Sequence, residues 1–292
     1  MCGIVGLFLK DKGLEPELGA LLTDMLVTMS DRGPDSAGIA VYRGGAEGLT
    51  KITLQSASPN EDFADLGAFL RADISVIDTH AIVTLPAGET DAAMARIREE
   101  RPSLRVMSRG EAIEIFKEVG APRDVAARFD LPSLPGSHGI GHTRMATESA
   151  VTTLGAHPFS TGPDQCLVHN GSLSNHNRLR RKLARQGVTV ETENDTEVAA
   201  AYLTHRLAQG DDLGAALTAG LNDLDGFYTF VVATKEGFGV LRDPIACKPA
   251  VLAETDRYVA FGSEYRALVG LPGIEAAEVW EPEPATVYFW EH

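Results

Sequence analysis

Two rhythms of apolar positions run along the chain. Ile4 to Leu9 is a short apolar run of strand length, and Leu18, Leu21, Leu22, Met25, Leu26 and Met29 then recur at helical spacing until Gly33–Pro34 stops them. Strand, helix and turn therefore open the chain. Ile39–Arg43 and Ile74–Leu85 read as strands, while Asp91–Glu100, Glu111–Val119 and Arg123–Phe129 read as short helices between Pro and Gly breaks. After Gly139 come strands and polar turns, then helices over Asn175–Gln186, Asp195–Gln209 and Asp212–Leu221. The last third is nearly all β: Phe227–Thr234, Gly239–Arg242, Ala250–Ala253, Tyr258–Gly262 and Thr286–Trp290, separated by turns that suit antiparallel hairpins. Helices grouped between two β-rich regions predict an α+β fold whose sheets are covered by helices.

The middle stretch continues the periodicity of neither flank. We read residues 1–292 as one domain carrying an insertion at about 45–136, bounded by turns at Gly44–Gly45 and Leu134–Pro135–Gly136. With 44% hydrophobic and 23% charged residues, the composition is that of an ordinary globular protein. A formal charge of -15 opposes a nucleic-acid or anionic membrane surface, so a small metabolite or a protein partner fits better. The cysteines, Cys2, Cys166 and Cys247, are too few and too scattered for a disulfide framework, a zinc ribbon or an iron–sulfur ligand set. They predict a reducing, cytoplasmic setting. MCGIVGLFLK lacks a basic region ahead of it and a cleavage pattern after it, and no apolar stretch reaches about 18 residues, so it reads as a core strand.

Cys2 carries the first candidate chemistry. Removal of Met1 would leave a thiol and a free α-amine on one residue, with ordinary pKa values of about 8.5 and 7.7–8.0, so the amine can take the thiol proton directly or through a water. The bland alternative is a small hydrophobe at a strand start. Arg144 ends a probable strand in His142-Thr143-Arg144-Met145-Ala146-Thr147, where a guanidinium can clamp a carboxylate bidentately or simply make a surface ion pair. His169-Asn170-Gly171-Ser172-Leu173-Ser174, after the apolar Cys166–Val168, reads as a sharp turn. There the Asn170 amide and the Gly171 N–H could converge as an oxyanion hole, or the pair could be only a hairpin turn. Asp195 directly precedes an amphipathic helix, so capping is its default task, with receipt of a substrate ammonium as the alternative. Arg32, in a glycine-bounded turn, could hold the N-terminal segment or serve only the turn. His138 and His142 lack an acidic or cysteine set around them, so no metal site is expected. The basic run Arg178–Arg185 reads first as a solvated helix face and second as a docking surface.

Together these segments resemble the class II glutamine amidotransferases, the N-terminal-nucleophile hydrolases that begin Met-Cys-Gly-Ile. The ordered matches are Cys2–Gly6, Arg32–Gly38, Gly141–Arg144, His157–Phe159, His169–Gly171, Asp195–Glu197, Asp225–Gly226, Arg242–Pro244 and Gly262–Glu264. They cover roughly residues 1–44 and 137–292. The resemblance implies a four-layer αββα sandwich and hydrolysis of the glutamine side-chain amide through a γ-glutamyl thioester. By matched position it implies Cys2 as nucleophile with its α-amine as base, Asn170 and Gly171 as oxyanion hole, Arg144 as carboxylate clamp and Asp195 as amino-group contact. Thr147 matches a further glutamine-binding position, and Arg32 joins the set. The chain departs from many relatives at Met145 and Glu148, and has Ala246 where a glycine is common.

No phosphate loop, dinucleotide fingerprint or cysteine cluster lies in these 292 residues, so a separate partner is expected to use the ammonia. The insertion, with Val106-Met107-Ser108-Arg109-Gly110, looks most like separately encoded amidotransferase subunits of glutamate-synthase-type assemblies, N-methylglutamate synthase among them. That resemblance implies a hetero-oligomer in which other chains carry FMN and an iron–sulfur cluster, while this chain carries no cofactor. A stand-alone amidase acting on γ-glutamyl amides and a catalytically silent regulatory subunit are the competing expectations.

Overall fold

The computed structural model describes residues 2–146 and 150–292. Among them the strands form three sheets. The largest combines β1 (Gly3–Leu9), β2 (Ser36–Tyr42), β7 (Ile113–Val119), β8 (His138–Arg144), β13 (Val251–Glu254), β14 (Tyr258–Gly262) and β15 (Glu278–Trp280), in the order β15-β13-β14-β1-β8-β2-β7. The second combines β9 (Phe159–Gly162), β10 (Gln165–Leu173), β11 (Gly226–Thr234), β12 (Gly237–Arg242) and β16 (Thr286–Glu291), in the order β16-β12-β11-β10-β9. Helices α1 (Leu18–Thr28) and α5 (Pro122–Arg128) cover the outside of the first sheet, and α6 (His176–Arg185), α7 (Asp195–Ala208) and α8 (Leu213–Asp223) cover the outside of the second. The result is an α+β fold of αββα layering.

Side-chain alternation explains the stacking. In β1, Ile4 and Phe8 enter the core between the sheets while Val5, Leu7 and Leu9 face α1. In β10, Cys166 and Val168 join the inter-sheet core while Leu167 faces the outer helices. Strands buried on both faces read as continuous apolar runs, which is why Ile4–Leu9 is legible as a core strand.

The stretch expected as an insertion divides in two. Residues 49–110 build a separate sheet from β3 (Leu49–Gln55), β4 (Asp73–Ile77), β5 (His80–Pro86) and β6 (Arg105–Gly110), all antiparallel, in the order β4-β5-β3-β6. The short helices α2 (Pro59–Asp62) and α3 (Leu66–Leu70) precede β4, and α4 (Thr90–Glu100) joins β5 to β6. This is a split β-α-β-β-α-β unit. It has its own core, with Ile52, Leu54, Leu66, Val83 and Ile97 packed together. Residues 113–128 instead complete the large sheet and its helix layer.

The helix expected over Glu111–Val119 is therefore strand β7, paired along its length with β2. Ile113 and Ile115 face the inter-sheet core and Phe116 the helix layer, and this burial on both sides gives the sequence a spacing that imitates a helix. The single strand expected over Ile74–Leu85 is a hairpin that turns at Asp78, whose φ of 51° lies in the left-handed region. Asp164, in the turn between β9 and β10, ties this middle region to the core. Its carboxylate accepts from the N–H groups of Glu111, Ala112 and Ile113 at 2.6, 2.8 and 3.0 Å.

Candidate active site

The start of β1 and the end of β8 meet at one edge of the sandwich, Asn170 of β10 reaches across to Cys2 there, and the first turn of α7 binds the end of β10. Antiparallel pairing of β1 with β8 sets Gly3 opposite Thr143, which leaves Cys2 at the mouth beside the end of β8, where Arg144 lies. Position parity then fixes direction. Cys2 shares parity with Ile4 and Phe8, Arg144 with Ile140, and Asn170 with Cys166 and Val168, all of which enter the space between the sheets. The half-exposed Cys2 is a free thiol.

Asn170 is buried, and its amide Nδ2 donates to the Cys2 carbonyl at 3.3 Å. It does not sit in a hairpin turn: β10 runs on to Leu173, and Asn170 and Gly171 pair with Thr229 and Tyr228 of β11. Gly171 has φ of 145°, and a Cβ there would lie 1.9 Å from the Phe227 carbonyl oxygen. Only glycine fits that backbone. The Asn-Gly dipeptide that suggested a turn thus marks a distorted strand position where backbone comes close to backbone.

Arg32 is buried in the 3-10 turn after α1. Its Nε donates to the Cys2 carbonyl at 2.9 Å and its Nη1 pairs with Glu264 Oε1 at 2.5 Å. Ser263, beside Glu264, exchanges hydrogen bonds with Ile4, its N–H to the Ile4 carbonyl and its Oγ from the Ile4 N–H, both at 2.9 Å. Two of the guanidinium nitrogens are thereby committed within the protein, one to Cys2 and one to Glu264, rather than to a substrate. Arg144, 7% exposed, closes β8, and its Nη1 reaches the Ala150 carbonyl at 3.4 Å. Thr147 and Glu148 lie outside the described residues.

Asp195 does not cap α7. Asn194 does, its Oδ1 accepting from the Thr196 N–H at 2.9 Å, and this frees the Asp195 carboxylate. Asp195 Oδ2 accepts from the Leu173 N–H at 2.9 Å, and Oδ1 lies 3.6 Å from His169 Nδ1. Burial pushes this carboxyl up, but His169 and the Leu173 N–H outweigh it, so its pKa falls below the ordinary value. It is held as an anion on the first turn of a helix, where the N-terminal dipole adds to the same preference.

Behind these residues lies a buried polar chain that sequence reasoning missed. Thr196 Oγ1 bonds His157 Nε2 at 2.8 Å and His169 Nδ1 at 3.0 Å. His142 Nε2 meets the His169 carbonyl at 3.0 Å, which bridges the two sheets, and its ring stacks on His157 at 4.0 Å. Burial drives His142 down to about 3, and His157 also falls well below its usual range, so both are neutral. Lys117 of β7 donates to the carbonyls of Ala156 and Pro158, on either side of His157, at 2.8 and 3.1 Å, and burial lowers its amine to about 7. The signal was present in three histidines within matched motifs, but no spacing rule joins residues on different strands. Ala246 has φ of 53°, a left-handed conformation that glycine adopts without cost.

Among the described residues, no three or more His, Cys, Asp or Glu side chains are placed to hold a metal ion, and no helix is long and apolar enough to cross a membrane. Comparison with known proteins adds three findings. A family profile described as a glutamine amidotransferase domain matches residues 142–270. The chain is 68% identical to the glutamine amidotransferase-like protein GlxB of Rhizobium meliloti, covering 100% of this chain and 99% of the relative, and 33% identical to a putative glutamine amidotransferase of Methanothermobacter thermautotrophicus over the full length of both. Its fold superimposes on a glutamine phosphoribosylpyrophosphate amidotransferase of B. subtilis with a TM-score of 0.65 at 19% identity, covering 99% of this chain but only 47% of that one.

Proposed function

The chain belongs to the class II glutamine amidotransferases, and from that membership we propose that it releases ammonia from the glutamine side-chain amide through a thioester on Cys2 and passes it to a separate synthase-type partner. The observation that carries the catalytic part is the enclosure of Cys2: its carbonyl takes a hydrogen bond from Asn170 at 3.3 Å and another from Arg32 at 2.9 Å. The first bond holds Cys2, just ahead of β1, against the strand that carries Asn170 and Gly171, and the second against the turn after α1.

In this reading, removal of Met1 frees the Cys2 α-amine, which accepts the thiol proton. The thiolate attacks the amide carbon, and the oxyanion forms against the Asn170 amide and the Gly171 N–H. Collapse breaks the C–N bond, with the α-ammonium returning its proton to the leaving ammonia. Water then cleaves the thioester to glutamate and restores the thiol. Arg144 grips the α-carboxylate and Asp195 the α-ammonium, a pairing supported by the ionised state of Asp195 and its place beside β10. Thr147 is assigned to glutamine binding from the sequence resemblance.

That the partner belongs to the glutamate-synthase or N-methylglutamate-synthase type, carrying FMN and an iron–sulfur cluster, rests on the sequence resemblance. The test is purification from the native source. A flavin or iron–sulfur protein should travel with this chain and raise its glutaminase rate on reconstitution; glutaminase output that ignores every co-purifying protein would overturn the partner assignment.

A further inference from the structure

We propose that the cavity between the split β-α-β-β-α-β unit and the catalytic sandwich binds a small organic anion, and that its occupancy alters the hold of Asp195 on glutamine. The cavity measures about 410 Å³, within the range of small-molecule sites, and none of Cys2, Arg144, Asn170 or Asp195 lines it. Arg98 of α4 and Arg109 of β6 stand on one wall, β9 on another, and Lys117 reaches it from β7.

Its charge favours an anion. Arg98 has no hydrogen-bond or ion-pair partner among the described residues. Arg109 meets Asp91 at 3.3 Å, but that carboxylate is 96% exposed, so the pair is weak and Arg109 remains available. Glu197 also lines the space, yet its carboxylate is taken up by the N–H groups of Glu191 and Thr192 and by the Thr192 hydroxyl, at 2.6–2.7 Å. Glu191, the remaining carboxylate, is exposed. Two guanidiniums, Arg98 and Arg109, thus face the space on a protein whose net charge is -15, with the amine of Lys117 held behind them by two carbonyls. Met94, Met107 and Phe159 supply apolar wall, which suits a carboxylate or phosphate ester with a carbon body rather than a bare inorganic ion.

The cavity and the Cys2 site share one structural element, the first turn of α7. Asp195 binds the Leu173 N–H of β10, the strand that carries Asn170, Thr196 holds His157 and His169, and Glu197, on the cavity side, fixes the loop that leads into Asn194. Lys117 binds the carbonyls flanking His157, so it too ends on Thr196. An anion held by Arg98 and Arg109 changes the field at Lys117 and Glu197, the two supports of that turn that also line the cavity, and reciprocity requires that glutamine shift anion affinity by the same factor.

The test is titration calorimetry of the full chain with succinate and, separately, glycerol 3-phosphate, on the wild type and on the R98A/R109A double variant. Both arginines sit outside the proposed catalytic set on surface-accessible positions. We expect saturable binding of at least one probe, weakened at least tenfold in the double variant. Binding of succinate alone identifies a carboxylate site, and binding of glycerol 3-phosphate alone a phosphate-ester site. Absence of saturable binding by either, or equal binding by the variant, overturns the site. Saturating anion should also change the glutamine KM at least threefold in the wild type and not in the variant, and an unchanged KM overturns the coupling. Only this last arm rests on the proposed glutaminase reading, so a failure of that reading leaves the calorimetric result standing.

Discussion

At the residue scale, Asn170 and Gly171 separate chemistry from backbone. The Asn170 side chain has one described hydrogen bond, to the Cys2 carbonyl, so Asn170→Ala should leave the sheet intact while removing an oxyanion donor. Steady-state kinetics should show kcat reduced about 10²–10³-fold with glutamine KM little changed. Gly171→Ala should behave differently. Its Cβ would meet the Phe227 carbonyl at 1.9 Å with φ at 145°, so thermal unfolding should move well below the wild type. The meeting of Cys2 with Asn170 was legible in the sequence, because both sit in ordered motifs. The default reading of Asp195 as the helix cap fails for a physical reason: Asn194 and Asp195 are both good caps, and only the geometry reveals that Asn194 takes the task.

At the element scale, the first turn of α7 is the piece to perturb. Asn194→Ala deletes the bond to the Thr196 N–H and should lower unfolding free energy by about 0.5–2 kcal/mol, measured by urea denaturation. Glutamine KM should rise in the same variant, because Asp195 and Thr196 lie on the loosened turn. Elements with one buried face, such as α1 and α6, announced themselves by periodicity. Strand β7 did not, since burial on both faces puts apolar residues on neighbouring positions. Strands β3 and β6 escaped for a related reason: Lys51, Thr53 and Ser108 are buried polar residues inside them, with Ser108 donating to Thr53 at 3.1 Å, so the apolar run that marks a strand is interrupted.

At the scale of the whole molecule, buried neutral histidines set the response to acid. Burial holds His80, His138 and His142 down at about 3, whereas in the unfolded chain they titrate near 6.5. Below pH 6.5 the unfolded state binds protons that the folded state refuses, so stability present above that pH is lost as pH falls towards 3. Each histidine adds a slope of up to about 1.4 kcal/mol per pH unit. Urea midpoints taken from pH 7 to pH 4 should fall steeply, and His80→Asn, remote from the proposed site, should flatten the curve.

The central claim is that Cys2, freed of Met1, is the nucleophile. It is tested most directly by intact-mass measurement of the purified chain before and after a glutamine-like electrophile. The account predicts a chain lacking Met1 that gains one adduct, mapped to Cys2 and blocked by prior glutamine. A chain that keeps Met1 and stays unlabelled, or one labelled at Cys247 instead, would contradict it.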